Sequence, residues 1–314
     1  MQAEDETAVP SADPVPQTPR RALLVLNRKA RNGAQSVDAA LSILAAGGLA
    51  VEECAVESSE LMSALLQKRV SEVDCVIVGG GDGTLNSVAP AILETGLPLG
   101  ILPLGTANDL ARTLGIGPDL ASAARTIVAG VTRDIDLGRV NGHLFFNVAS
   151  IGFSADLARQ LTGQAKKRFG TLGYALAGAK LLGRTRPFTA FIEHDNRIEK
   201  VKTVQISVGN GRHYGGGMTI EESAEPDDGH LHVYSLEVGH WSRLLALFPA
   251  LRRGTHGAKD DVRAFVTKQV TIRTRRARSV NTDGELTTAT PAKFSIIPKA
   301  VRVYAPARPE DPTV

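Results

Sequence analysis

The apolar run Val76-Ile77-Val78 ends in Gly79-Gly80-Gly81-Asp82-Gly83-Thr84, four glycines around a single carboxylate. Residues without side chains let successive backbone N–H groups close on an anion, and they also allow positive φ. A helix that starts near Thr84 and takes in Leu85, Asn86 and Ile92 would add its unsatisfied N–H groups and its dipole at the same place. The chemistry this suits is phosphate binding, mainly by main chain. Two better-known phosphate loops do not fit. A P-loop needs Lys and then Ser or Thr after its last glycine, whereas Thr84 follows Gly83 directly. The dinucleotide pattern G-x-G-x-x-G accepts Gly79 and Gly81 but meets Thr84 where a small residue is needed.

A second polar loop, Pro103-Leu104-Gly105-Thr106-Ala107-Asn108-Asp109, offers a turn, a hydroxyl, an amide and a carboxylate. Alone it reads equally well as a helix N-cap. Asp136, in Asp134-Ile135-Asp136-Leu137-Gly138, reads alone as a carboxylate at a strand end. Asp228-Gly229 and Asp283-Gly284 read alone as turns, the latter a hairpin turn with Glu285 in solvent.

Elements of two kinds must position these residues. From Arg21 onward, Ala22–Leu26, Leu49–Val56, Cys75–Val78 and Leu99–Leu102 are strand-like, and helical spacing at Val37, Ala40, Leu41 and Leu44 and from about Ser59 separates them. Such alternation predicts a parallel sheet covered by helices, with the ligand loops along one sheet edge. After about Asp134, strand-like runs at Phe188–Glu193, Thr203–Val208, Leu231–Val238 and Val270–Thr274 and turn pairs at Asn141-Gly142 and Asp195-Asn196 predict a largely antiparallel half. Two helical segments interrupt it, around Lys166–Leu182 and Ser242–Arg253. Lys166, Lys167, Arg168, Arg184, Arg252 and Arg253 stand there beside apolar residues, a composition suited to lipid headgroups or to an ordinary core-facing helix with solvated charges.

A chain of 314 residues suffices for two domains. Residues 1–20 are proline-rich and acidic, predicting a disordered tail without the basic start and apolar stretch of a signal peptide. No eighteen-residue apolar run is present, the longest candidate, Leu244 to Leu251, being interrupted by Pro249. The formal net charge is only +3, but the acidic tail hides a more cationic body suited to phosphate-bearing ligands or an anionic membrane. Cys54 and Cys75 make no disulfide or metal spacing, so a reducing, cytoplasmic location is expected.

The spacing of Gly80-Gly81-Asp82-Gly83-Thr84 from Pro103-Leu104-Gly105-Thr106-Ala107-Asn108-Asp109 resembles the diacylglycerol kinase catalytic-domain family, its soluble bacterial lipid kinases above all. Asn27-Arg28-Lys29-Ala30-Arg31-Asn32-Gly33, Asp228-Gly229-His230-Leu231 and Asn281-Thr282-Asp283-Gly284-Glu285 are similar to that family too, so the likeness runs from about Arg21 to Pro306. It implies a three-layer α/β nucleotide-binding domain at 21–134, a mainly antiparallel β-sandwich-like lipid-substrate domain at 135–306, and a short tail at 307–314. It implies ATP contacts from Asn27, Arg28, Lys29, Ala30, Arg31, Gly79 to Asn86 and Thr106. It implies Asp82 near the triphosphate and magnesium, an acidic network completed by Asp109 and Asp136, and a base at Asp283 or Glu285. A second, structural magnesium would use Asp228 with main-chain oxygens of Glu225 and His230.

Two positions depart from the family pattern: Cys54 is nearest to a usual threonine, and Arg28 replaces a common proline. The resulting expectation is a peripheral, ATP- and Mg2+-dependent lipid kinase in transient contact with a membrane surface, without a nucleic-acid partner. Rival readings are an NAD kinase, which shares the glycine loop, and a non-catalytic nucleotide-regulated protein of the membrane surface. Neither the lipid nor the oligomeric state follows from the sequence.

Overall fold

The structure, a computed structural model, describes residues 20–27, 37–54, 59–161, 186–211, 213–214, 218–219, 224–238 and 261–308. Its first half runs β1 (Arg20–Leu26), α1 (Val37–Ala46), β2 (Leu49–Cys54), α2 (Ser59–Arg69), β3 (Cys75–Gly80), α3 (Asp82–Thr95), β4 (Leu99–Pro103), α4 (Asp109–Thr113) and α5 (Leu120–Ala129). The strands pair in parallel in the order β2-β1-β3-β4. All of β3 and β4 is buried, as a parallel sheet covered on both faces requires.

From β1 the chain first moves one way to β2, then the other way to β3 and β4. Right-handed crossovers therefore put α1 on one face and α2 and α3 on the other, and α5 joins α1 while α2 packs on α3. The direction reverses between β1 and β3, and the crevice beyond their carboxyl ends is where such sheets bind ligands. Asn27 and the Gly79–Thr84 loop stand there.

The second half comprises β5 (Thr132–Val140), β6 (His143–Phe145), β7 (Val148–Gly152), α6 (Phe153–Leu161), β8 (Phe188–His194), β9 (Arg197–Thr203), β10 (Gln205–Gly209), β11 (His213–Tyr214), β12 (Met218–Thr219), β13 (Leu231–Leu236), β14 (Val262–Thr267), β15 (Gln269–Thr274), β16 (Ser279–Thr282), β17 (Glu285–Ala289) and β18 (Ala292–Tyr304). One antiparallel sheet has the order β14-β13-β10-β7-β16-β17. The other, β18-β15-β8-β9 with β5 on β18 and β6 on β5, is continuous with the parallel sheet through β18 beside β4. Ile151, Ile206, Val233 and Val280 of the first meet Ile192, Val201, Ile272 and Phe294 of the second in one apolar core, which makes the pair a sandwich.

The β18 strand was not foreseen, because Pro298 and Lys299 break its alternation. Its pairing with β5 shifts register between Ile297 and Val301, and Lys299 takes φ 50° there. The predicted run Thr203–Val208 divides at Val204 into the end of β9 and the start of β10. A boundary at residue 134 falls inside β5.

The cationic segments around Lys166–Leu182 and Ser242–Arg253, the terminal segments 1–19 and 309–314, and Arg28, Lys29, Ala30 and Arg31 lie outside the described residues. Among the described residues no helix is long and apolar enough to cross a membrane.

Candidate active site

The glycine loop works by closeness rather than by unusual dihedral angles. None of Gly79, Gly80, Gly81 and Gly83 has positive φ, and Gly81 sits at φ −103°, ψ −174°. Contrary to the expectation from the sequence, the loop does not use the positive φ that its glycines allow. A Cβ on Gly105 would lie 2.5 Å from the Gly81 Cα, and one on Gly79 would lie 2.7 Å from Leu26 Cδ1. The two polar loops touch backbone to backbone, which leaves no room for side chains.

The α3 helix begins at Asp82, earlier than expected, with Gly81 as N-cap and no side chain capping it. Thr84 and Leu85 donate their N–H groups to the Gly81 carbonyl, so the first-turn amides of Asp82 and Gly83 are those placed to face a phosphate. Leu85 is 2 % exposed in the apolar core, so its side chain cannot reach a nucleotide. Asn86 is half-buried on the helix and Thr106 is exposed at the rim of the second loop. Asn27 donates from Nδ2 to Thr84 Oγ1 at 3.0 Å and from its main-chain N–H to Gly79 O at 2.9 Å, which brings the end of β1 to the same crevice.

Asp82 ties this crevice together. Its Oδ2 accepts from Asp109 N at 3.0 Å, and its Oδ1 accepts from Leu110 N at 3.1 Å and from Asn147 Nδ2 at 3.4 Å. It thus caps α4, a helix on the neighbouring loop, instead of its own. Asp109 is 5 % exposed beside it. Asn108, at φ 50°, closes the loop on Gly105 through bonds of 2.9 and 3.1 Å, so its amide serves the fold.

Asp283 and Gly284 form the two-residue turn between β16 and β17, both at positive φ as a type I′ hairpin turn requires. The hairpin-turn reading of this segment holds. The Asp283 carboxylate points inward, accepting from Phe146 N at 2.7 Å and from Asn147 N and Val148 N at 3.0 Å each. Burial pushes its pKa up to about 7, helped by the nearby Asp82 charge and opposed by the three N–H bonds. Glu285 is exposed, and its Oε1 lies 3.3 Å from where a Cβ on Gly83 would be. The hairpin therefore hangs its glutamate over the glycine loop.

Sequence reasoning missed Asn147. Its side chain reaches Asp82, its N–H reaches Asp283 and its carbonyl accepts from Asn210 N at 2.8 Å, joining three segments far apart in sequence. Asn147 is 3 % exposed and its Oδ1 has no hydrogen-bond partner among the described residues. The one signal available was a lone amide within the apolar stretch Leu144-Phe145-Phe146-Asn147-Val148.

The remaining expected ligands gather elsewhere. Asp136 accepts from Gly229 N and Lys299 N, each at 2.7 Å. Burial raises its pKa, the two N–H bonds oppose this, and Asp228 and Asp227 add to the rise. It joins the Asp228 loop, where Glu225 and His230 also lie, and its main-chain oxygen accepts from Asn210 Nδ2 at 2.9 Å. Among the described residues no group of three or more His, Cys, Asp and Glu side chains forms a metal cluster.

Comparison with known proteins gives this geometry a family. Residues 21–140 match the model of the diacylglycerol kinase catalytic domain, and residues 147–305 match that of the YegS C-terminal NAD kinase beta sandwich-like domain. The chain belongs to the diacylglycerol kinase catalytic-domain family. A Klebsiella pneumoniae protein named "Probable lipid kinase YegS-like" is 32% identical over 290 residues, 90% of this chain and 95% of that protein. The diacylglycerol kinase of Mycobacterium tuberculosis is 34% identical over 240 residues, 74% of this chain and 77% of that one. A crystal structure of a diacylglycerol kinase from Bacillus anthracis superposes with a TM-score of 0.73 at 25% identity, covering 91% of this chain and 97% of that one. Membership of this family makes the chain a phosphotransferase of the lipid kinase type that uses ATP.

Proposed function

We propose that this kinase transfers the γ-phosphoryl group of ATP to a hydroxyl of a membrane lipid, with Glu285 as general base. The observation that carries the reading is the Asp283-Gly284 turn, which anchors Asp283 to residues 146–148 and projects Glu285 beside Gly83 of the phosphate loop. Both Asp283 oxygens already accept N–H bonds, so Asp283 positions the hairpin and Glu285 takes the proton.

In the step itself, the lipid oxygen attacks the γ-phosphorus, the bond to the β,γ-bridging oxygen breaks, and ADP leaves. The lipid proton passes to the Glu285 carboxylate as the new bond forms. The first-turn amides of α3, with Asn27 and Thr84, hold the phosphates.

Asp82, Asp109 and the unpartnered Asn147 Oδ1 present only oxygens, the donor set that a hard cation requires. Magnesium bound there would neutralise charge on the phosphates during transfer.

What supports a lipid over a dinucleotide acceptor is that the relatives matching most of the chain bear lipid kinase names. Glu285→Gln should lower kcat by about 10²- to 10⁴-fold, the usual contribution of a general base, with the ATP dissociation constant nearly unchanged. Assay with labelled ATP and a panel of extracted lipids reads both turnover and acceptor, and wild-type-like turnover of this variant would refute the role.

We also propose transient adsorption to anionic bilayers, supported by the sequence of the cationic segments. Vesicle co-sedimentation should rise with anionic lipid content and fall when Lys166, Lys167 and Arg168 are neutralised.

A further inference from the structure

The turn that carries Glu285 is held through the Asp283 carboxylate, and that carboxylate by the N–H groups of Phe146, Asn147 and Val148. Whatever points those N–H groups at Asp283 therefore sets where Glu285 stands. A trans peptide unit directs its C=O and its N–H to opposite sides. The Asn147 N–H shares a unit with the Phe146 carbonyl, and the Val148 N–H shares one with the Asn147 carbonyl. Both units can thus be fixed from behind.

Asn210 fixes both. The pairing of β10 with β7 puts Gly209 opposite Val148, and Asn210 follows it opposite Asn147. Asn210 Nδ2 donates to Phe146 O at 2.9 Å, and its main-chain N–H donates to Asn147 O at 2.8 Å, where Gly211 N adds a longer bond of 3.3 Å. Two successive peptide units are gripped between a donor, Asn210, and an acceptor, Asp283. A carbonyl that accepts a hydrogen bond polarises its own peptide unit, so the N–H on the far side becomes a stronger donor. Asn210 Nδ2 also donates to Asp136 O at 2.9 Å, which anchors the grip to β5, a strand with residues in both cores.

Asn210 is 1 % exposed, and its Oδ1 has no hydrogen-bond partner among the described residues. With Nδ2 directed at two carbonyl oxygens, the amide cannot turn over to exchange its ends. A buried acceptor left unpaired costs stability, so packing alone does not account for an asparagine here.

We infer that Asn210 is a positioning residue for phosphoryl transfer, which aims the N–H groups of residues 147 and 148 at Asp283 and, through that turn, sets Glu285 over the phosphate loop. The inference rests on Glu285 being the general base. The Asn210 bonds run to the carbonyls of residues 136, 146 and 147, so the effect belongs to kcat.

The test uses the full chain in the assay with labelled ATP and lipid, and compares Asn210→Ala, Asn210→Ser, Glu285→Gln and each Asn210 variant combined with Glu285→Gln. Asn210→Ala keeps the main-chain bond and removes both side-chain bonds. It should lower kcat by about 10- to 100-fold, the scale of a catalytic group displaced by about 1 Å, while the ATP dissociation constant stays within about twofold. Asn210→Ser, whose one hydroxyl hydrogen can serve one carbonyl, should fall between. Added to Glu285→Gln, either substitution should change kcat by less than about twofold, because a base already lost cannot be misplaced. A purely structural role would carry its loss into that background undiminished, and this result overturns the inference. So does a kcat for Asn210→Ala within about twofold of wild type. If Asn210→Ala does not fold, the Asn210→Ser cycle decides; if neither folds, the residue is structural and the inference falls. A wild-type-like Glu285→Gln refutes the base and not the grip on Asp283, and the same cycle against Asp283→Ala then decides.

Discussion

At the scale of residues, two carboxylates one glycine apart have opposite surroundings. Glu285 stands in solvent over the phosphate loop, while the Asp283 carboxylate is buried under three N–H groups with Asp82 nearby. Its pKa of about 7, against an ordinary 3.8, has a consequence for stability. Between those values the folded chain keeps the proton that the unfolded chain has already lost. The stability contributed is complete below pH 3.8, declines as pH rises towards 7, and is gone above it. Asn cannot titrate, so Asp283→Asn should lack this decline. Denaturant unfolding of both proteins at intervals from pH 4.5 to 8 should show the variant's deficit shrinking as pH rises. A deficit constant across that window would contradict the raised pKa.

At the scale of elements, the site depends on two strand-to-helix loops that meet at Gly81 and Gly105. A methyl group on Gly105 would come 2.6 Å from Asn108 Oδ1 as well as against Gly81, so Gly105→Ala must push the loops apart. Overpacking of this kind costs about 1–3 kcal/mol. Because the strain falls on the loops that seat Asp82 against Asp109 and Leu110, ATP affinity should drop at least tenfold while the unfolding transition stays cooperative. Calorimetric titration with ATP, beside a thermal melt, checks both.

How much of this was legible in the sequence follows from how each part is encoded. Parallel strands are short continuous apolar runs, so β1, β3 and β4 were readable to within two residues. The Asn141-Gly142, Asp195-Asn196 and Asp283-Gly284 turns were readable because positive φ restricts the residue types. The backbone contact of Gly81 with Gly105 was not, since nothing local in a glycine distinguishes dihedral freedom from close approach. The Asn147 junction was also hidden, because its three partners are distant in sequence.

At the scale of the molecule, β5 and β18 each serve both cores. Ile135 and Leu137 of β5 lie in the α/β core and Val140 in the sandwich core. Ala292 and Phe294 of β18 lie in the sandwich core, and Val301 and Val303 in the α/β core. Tyr304 and Ala305 follow them into the α/β core, and Phe146 enters it from just beyond β6. A fragment of residues 21–140, the extent of the catalytic-domain match, would lose all five of Phe146, Val301, Val303, Tyr304 and Ala305. Burial of a large apolar side chain contributes about 1.5–3 kcal/mol. The loss therefore approaches the whole stability of a typical domain, about 5–15 kcal/mol. The fragment would also leave β5 without its long antiparallel partner. It should show no cooperative thermal transition, and a peptide spanning 292–308 added in trans should restore one. The full chain should unfold in a single step, because no cut between the halves leaves either core intact. A sharp cooperative melt of the isolated fragment would mean that the β18 strand only decorates the α/β core instead of completing it.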